Sequence, residues 1–366
     1  MQPIGGGGYT SEEVLAVLRG PARQWSFRYE LLDSQNNKLA DLDNVLGCEV
    51  SQNFLAIIKR TATFLIAAQG NINFQADRLR PWVRLKMPDG GFREWPQGVF
   101  LPSSPTRYTD TTGTVYREVD AYDQLLVFED DKVVDRFSVA EDSVVTDEVS
   151  TILGNITKNI TPSASTLPVD REWPPGTSKL AIINDLLRLI NYESLSFDAL
   201  GRAVVRPYKA THLRPSEFTY RDTVDSVIFP EMERERDLFD IPNRWVLVVS
   251  EPDLDPIVGV YTNDNLASPT STVARDRVIV DFREQEEAVD QLTLDARAER
   301  LAFEASQVYE AVEFESGLMP FHDTNDVYTL GYTRLGFDAK FSEHRWSMPF
   351  EAGGRMKHRA RRVVAV

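Results

Sequence analysis

The chain has one cysteine and four histidines in 366 residues. A lone Cys48 excludes a disulfide framework and any multi-cysteine metal site. Within the apolar-alternating run Val45–Val50 it reads as a small buried hydrophobe. His212, His322, His344 and His358 are scattered, and none has a histidine four residues on, so the paired face of a zinc protease is missing. No Gly-x-Ser-x-Gly supplies a strained serine elbow. The tract Gly5–Gly8 is not followed by Gly-Lys-Ser/Thr, so it is no phosphate loop. No apolar run approaches the roughly 18 residues of a membrane span. Met1–Gly8 lacks the charged-then-apolar order of a signal peptide, so we expect synthesis into a cytoplasm and no membrane insertion. Without export, Asn155-Ile-Thr and Asn159-Ile-Thr are chance matches to a glycosylation pattern.

Positive charge is also short: 40 Lys and Arg stand against 56 Asp and Glu, a net −16. That balance argues against gripping a nucleic-acid backbone. The excess is localised. From Glu118 to Glu148 there are eleven acids against Lys132 and Arg136. Arg355, Lys357, Arg359, Arg361 and Arg362 make the other end basic, a polarity that suits self-assembly.

What is present is a long β pattern. Trp25, Phe27, Tyr29 and Leu31 alternate with polar residues, as do Ala62, Phe64 and Ile66, and Val83, Leu85 and Met87. Turn residues fall between them at Asp33–Lys38, Gln69–Asn73 and Pro88–Gly91. Val99–Leu101 and Val115–Val119 continue the series to Phe128, which predicts a β-barrel or sandwich over 21–130. Before it, Gly5–Gly8 and a short helix capped by Ser11 predict a mobile arm over 1–20.

The clearest local signal is LPVDREWPPGTSKLAIINDLLRLINYESLSFDALGRAVVRPY, residues 167–208. Pro174, Pro175 and Gly176 stop what precedes, and Thr177 and Ser178 offer caps. Leu180, Ile183, Leu187 and Ile190 follow at helical spacing, with Ala181 and Leu186 widening the stripe, so this helix is expected to bury one face. Asp198 and Gly201 then turn a hairpin between Leu195–Phe197 and Ala203–Val205. Strands resume at Glu217–Tyr220, Ser226–Pro230 and Arg244–Val249. Glu231–Asp240 reads as a solvated connection and Pro252–Thr272 as a long loop, with a further strand at Val278–Val280. A second helix is expected over Glu284–Val308, with Leu292, Ala296, Ala298, Leu301, Ala302 and Ala305 on a small-residue face and Glu299 and Arg300 outward. Val308–Phe314, Val327–Leu330 and Phe341–Met348 close the strand series, and Gly353-Gly354 releases a basic tail.

Chemical sites are weak. His322, Asp323 and Asp326 in HDTND read as a loop cation site or, more simply, as a turn. Asp41–Gln52 begins like a calcium loop, but Gly47 is one place late and Gln52 stands where a bidentate glutamate belongs, which leaves a β-turn. Trp25, Trp82, Trp95, Trp173, Trp245 and Trp346 are sugar platforms or, at strand positions, core. RMKHRARR is too short and lacks interleaved aromatics for nucleic acid. No catalytic, cofactor-binding or metal residue is assigned, and no cofactor is expected.

Several stretches in order carry a resemblance: IKRTATFLI (58–66), DRLRPWVRL (77–85), GVFLPSSP (98–105), VDAYDQLL (119–126), REWPPGTSKLAIINDLL (171–187), IPNRWVLV (241–248), SPTST (268–272) and GGRMKHRARRVV (353–364). With them the chain resembles the tail hub or baseplate hub proteins of long-tailed bacteriophages, in particular minor tail proteins of phages infecting actinobacteria. The resemblance implies a mainly β, α+β fold: two β-barrel domains of tail-hub type with inserted small α/β domains. It divides the chain into an arm and short helix (1–20), a first barrel (21–130), an inserted α/β module (131–209), a second barrel (210–250 with 305–350), an inserted loop and helix (251–304) and a basic C-terminal tail (351–366).

It further implies a structural, non-enzymatic virion protein at the distal tip of the tail. Three copies form a homotrimer whose six barrels continue the sixfold tail tube and offer threefold symmetry to a central fibre or spike. The implied partners are the tail tube or distal tail protein ring, the fibre or spike, the tape measure protein, and genomic DNA passing the lumen without specific binding. The tail arginines are expected to dock on a neighbouring copy's acidic surface. Two other classes are a carbohydrate-binding receptor protein at the tail tip and a hub with cell-wall hydrolase activity.

Overall fold

The computed structural model describes residues 1–67, 72–109, 115–236, 239–249, 256–284, 288–307 and 310–362. The period-two runs become pleated strands with one buried face. In Arg60–Ala67 every second residue is buried, and Arg78–Lys86 repeats the pattern. The turn expected at Gln69–Asn73 lies largely outside the described residues.

Most strands join one large, mainly antiparallel sheet. Its path runs Ile228–Arg236, Glu310–Ser316, Met356–Arg362, Phe337–Pro349, Val45–Asn53, Arg60–Ala67, Val115–Asp123, Phe100–Pro102, Arg78–Lys86, Trp25–Leu32 and Lys38–Asp41. Val327–Tyr332 branches off Phe337–Pro349 and carries Phe218–Arg221 in parallel. The two expected barrels are therefore not separate closed bodies; among the described strands the path stays open at both ends. The reason is Phe337–Pro349, thirteen residues long. Its first part pairs with Val327–Tyr332, and its last part, Arg345 to Pro349, pairs with Asn53 to Glu49 of the first half. One strand thus belongs to both halves, and one hydrophobic core, from Val14 to Ala360, runs beneath them.

A second core fills the inserted module, built on the helix Lys179–Leu189. Ser178 caps it, its hydroxyl accepting from the Ala181 N–H at 3.1 Å. This helix buries more than the single face expected: Ile182 and Leu189 are buried as fully as Ile183 and Leu187, because the helices Val145–Leu153 and Leu125–Asp130 also pack on it. The hairpin forms as expected, Ser196–Phe197 on Ala203–Val205, with Lys158–Ile160 added in parallel. At its turn Gly201 has φ +81°, and a Cβ there would lie 2.7 Å from Gln124 Nε2 and 2.8 Å from Val99. The glycine is what lets module and sheet meet.

The insertion expected over 251–304 is a third unit, and it takes in Arg244–Val249, which was expected in the second barrel. Arg244–Val249 leaves the large sheet and forms the centre of a small one, antiparallel to Ile257–Thr262 and parallel to Val280–Arg283. The helix Gln291–Gln307 covers one face, Leu294 and Ala298 meeting Leu247 and Val249. Gly259 permits the approach, since a Cβ would stand 2.9 Å from Leu294 Cγ. On the other face Val258, Val260, Val280 and Phe282 are exposed. Leu292, placed on the packed face by its spacing, is exposed as well.

Five other expectations change. Residues 1–8 are tied down: the Gln2 N–H donates to Phe321 O at 2.7 Å and Arg93 Nε donates to Ile4 O at 2.9 Å. The helix cap is Thr10, in a capping box with Glu13, and Ser11 is the first helical residue. The strand before Phe128 ends at Asp123, whose carboxylate accepts the Leu125 N–H and starts the helix Leu125–Asp130. Much of Glu231–Asp240 is strand, paired with Glu310–Ser316 at one end of the sheet path. The released tail is also strand: Met356–Arg362 lies between Glu310–Ser316 and Phe337–Pro349, with Met356, His358 and Ala360 turned inward.

Candidate functional site

The densest polar cluster lies inside the second half of the large sheet. It gathers His322 from the loop after Gly317, Glu343 from Phe337–Pro349, His358 from Met356–Arg362, Tyr220 and Tyr328 from the parallel pair, and Ser316. His322, Glu343 and His358 are each at most 2% exposed, and one ligand atom from each lies within 4.8 Å of the others.

Local irregularities aim these groups. A β-bulge between Glu343 and Arg345 reverses the pleat, so that Phe341 and Glu343 point inward before it and Trp346 and Met348 after it. His358 occupies the middle inward position of its strand. The HDTND turn presents His322, and Asp326 Oδ2 accepts the Asp323 N–H at 2.7 Å.

All four imidazole nitrogens have contacts. His322 Nδ1 lies 3.1 Å from Asp326 Oδ2, and its Nε2 lies 2.6 Å from the Tyr220 hydroxyl. His358 Nδ1 lies 2.9 Å from Glu343 Oε2, and its Nε2 lies 2.8 Å from Ser316 Oγ. Glu343 Oε2 is 4.0 Å from His322 Nδ1. Glu343 Oε1 and the Tyr328 hydroxyl are both buried, and the Glu343 carboxylate acts on that hydroxyl. Asp326 Oδ1 is met by the Met1 amine at 2.6 Å.

Burial sets the protonation states here. It pushes the His358 imidazole down, against the opposing pull of Glu343. It pushes the Tyr220 and Tyr328 hydroxyls far up, helped by the Glu343 charge. Burial would raise Asp326 too, but the Met1 amine and His322 hold its carboxyl well below the usual range.

Of the loop residues suggested by sequence, the fold keeps His322 and Asp326 together and sends Asp323 elsewhere, to Arg60 at 2.5 Å. Glu343, His358, Tyr220, Tyr328 and Ser316 were missed. Read as alternation, M-K-H-R-A-R would have found His358. The other suggested residues are structural. Cys48 is buried, and Asp41–Gln52 is the turn and flanking strands it was expected to be. Trp95, Trp173, Trp245 and Trp346 are core, while Trp25 and Trp82 are half-buried. Trp82 Nε1 donates to Glu30 at 2.8 Å, with Arg28 over its ring. The tail arginines find partners in their own chain: Arg355 with Glu315, Arg359 with Glu313 and Arg362 with Glu310.

A cleft of about 470 Å³ opens where the two halves, the module and the helix Gln291–Gln307 meet, lined by Lys59, Ser194, Tyr208, Arg300, Glu304 and His344. Burial lowers the Lys59 amine to about 8. Its three donors are all taken, by Ser194 O, Ser194 Oγ and Leu195 O. It is a clamp between sheet and module, with no proton or lone pair left for chemistry.

No family model matches this chain, and no curated protein matches it. Solved structures do. A tail protein from Neisseria meningitidis superposes with a TM-score of 0.62 at 11% identity, over 92% of this chain and 96% of its own. The 43 kDa tail protein of prophage MuSo2 from Shewanella oneidensis gives 0.60 at 11% identity, over 92% and 98%. Prophage tail protein gp18 from Listeria monocytogenes gives 0.55 at 14% identity, over 91% and 94%. The mainly β fold of this chain is thus one that these tail proteins adopt over 94% or more of their length.

Proposed function

We propose that this chain is a structural tail protein of a long-tailed phage, the hub at the distal end of the tail. The observation that carries the reading is the likeness to prophage tail proteins, which covers nine-tenths or more of both chains. The sheet supports the finer part. The strand Phe337–Pro349 pairs with strands of both halves and so holds them side by side. Three such chains in a closed ring supply six adjacent positions to a tube and three to a fibre.

In this reading the first half spans residues 25–123, and the second spans 218–236 with 310–362. The module at 131–209 and the unit at 244–307 are insertions facing the central fibre or spike. The tube ring, the fibre and the tape measure protein are the partners. The exposed apolar face at Val258, Val260, Val280 and Phe282 favours association over a free monomer. Exposed acids of the central stretch, among them Glu118, Asp120, Asp131 and Asp135, line the lumen and let DNA slide without sticking. Asp123 is buried and takes no part.

The test is light scattering followed by co-assembly with the tube protein. A trimer of the 41.5 kDa chain that caps tubes is the expected result. A chain that stays monomeric with both tube and fibre partners present overturns the reading. A cryo-EM map with a basic channel wall overturns the lumen assignment alone.

A further inference from the structure

We propose that His322, His358 and Glu343, whose ligand atoms lie within 4.8 Å of one another, hold a divalent transition metal of the zinc class. Two imidazoles and a carboxylate are a donor set suited to Zn²⁺. The spacing fits. Tetrahedral bonds of about 2.05 Å place ligand atoms about 3.3 Å apart, and the distances here bracket that value. Glu343 Oε2 is 2.9 Å from His358 Nδ1 and 4.0 Å from His322 Nδ1.

The surroundings fit as well. A ligating imidazole needs its second nitrogen held by an outer group, which fixes ring and tautomer. Tyr220 Oη does this for His322 Nε2, and Ser316 Oγ does it for His358 Nε2. Both Nδ1 atoms are thereby turned toward the Glu343 carboxylate. The Glu343 carboxylate is fully buried between two imidazoles and the Tyr328 hydroxyl, a costly place for an anion with no cation beside it. A divalent cation at this point supplies the charge the cluster lacks.

The metal would act as a staple. Its ligands come from the loop Gly317–Asp326, from the strand shared by both halves and from the C-terminal strand, so one ion ties three distant stretches together. Because the ligands are buried, the ion enters as the chain folds and leaves slowly.

The test uses the full chain, expressed with zinc supplied and dialysed against a weak chelator. The expected content is about one zinc per chain. Refolding with Co²⁺ is expected to give the visible absorption of a tetrahedral site. Glu343→Gln and His358→Gln are expected to lower retained metal at least about tenfold. A strong chelator is expected to lower the melting temperature of the natural chain and to leave that of Glu343→Gln unchanged. Because the variants need not fold, the natural chain decides: substoichiometric zinc together with no Co²⁺ band overturns the proposal and leaves a hydrogen-bonded network. The readout is metal content, so it stands or falls independently of trimer formation.

Discussion

The Arg60 guanidinium lies 2.5 Å from the Asp323 carboxylate, across 263 residues of sequence. Arg60 is buried in the first half, and its Nη1 also donates to Gln97 O at 3.3 Å. Asp323 belongs to the loop that presents His322. Replacing Arg60 by Met removes the charge and keeps most of the volume, leaving Asp323 without its cation. We expect a loss on the order of 3 kcal/mol, read as a lower urea midpoint. Asp323→Asn, which can still accept from Arg60, should cost less.

Acid should weaken the outer ladder of the first half. Burial would raise the Glu30 pKa, but hydrogen bonds from Arg28, Trp82 and Arg80 outweigh it and bring the carboxyl down from 4.5 to about 2. A depressed acid stabilises the fold fully above pH 4.5 and loses that contribution as the pH falls toward 2. Glu30→Gln should therefore destabilise by on the order of 2 kcal/mol at pH 7 and by progressively less toward pH 2. Equal losses at both pH values would contradict the assignment.

Gly201→Ala should loosen the inserted module. The new Cβ meets Gln124 and Val99, and the backbone is left-handed there. A cost of about 1–3 kcal/mol is expected. Hydrogen exchange should quicken at the joint around Gln124, where Nε2 donates to Gly201 O. Unchanged exchange would mean the two bodies tolerate separation.

Truncation after Gly354 separates a tail from a strand. A detachable tail would leave a folded chain that fails only in assembly. Since Met356–Arg362 pairs on both sides within the sheet, we expect instead that the cooperative thermal transition is lost.

Sequence and fold agree where burial is local. Arg60–Ala67 shows its period because one face alone is covered, a relation that alternation records directly, whereas Lys179–Leu189 buries more than its stripe because two further helices pack on it. The part of Ile228–Arg236 beyond Pro230 hid because this strand ends the sheet path, where charged side chains on both faces are favourable and little apolar signal remains. The C-terminal strand hid because Lys357, Arg359 and Arg361 masked the inward Met356, His358 and Ala360. Glu343 hid behind a bulge that reverses parity within FSEHRW. The sharing of Phe337–Pro349 was beyond reach, because a register between strands some 300 residues apart leaves no mark on either.

That shared strand also fixes how force travels. Turning one half against the other would shear five consecutive residue pairs between Arg345–Pro349 and Glu49–Asn53 at once. In the proposed ring, this joint would make the two halves of each copy move together. A channel enclosed by such copies would open at the contacts between them sooner than by shearing this ladder.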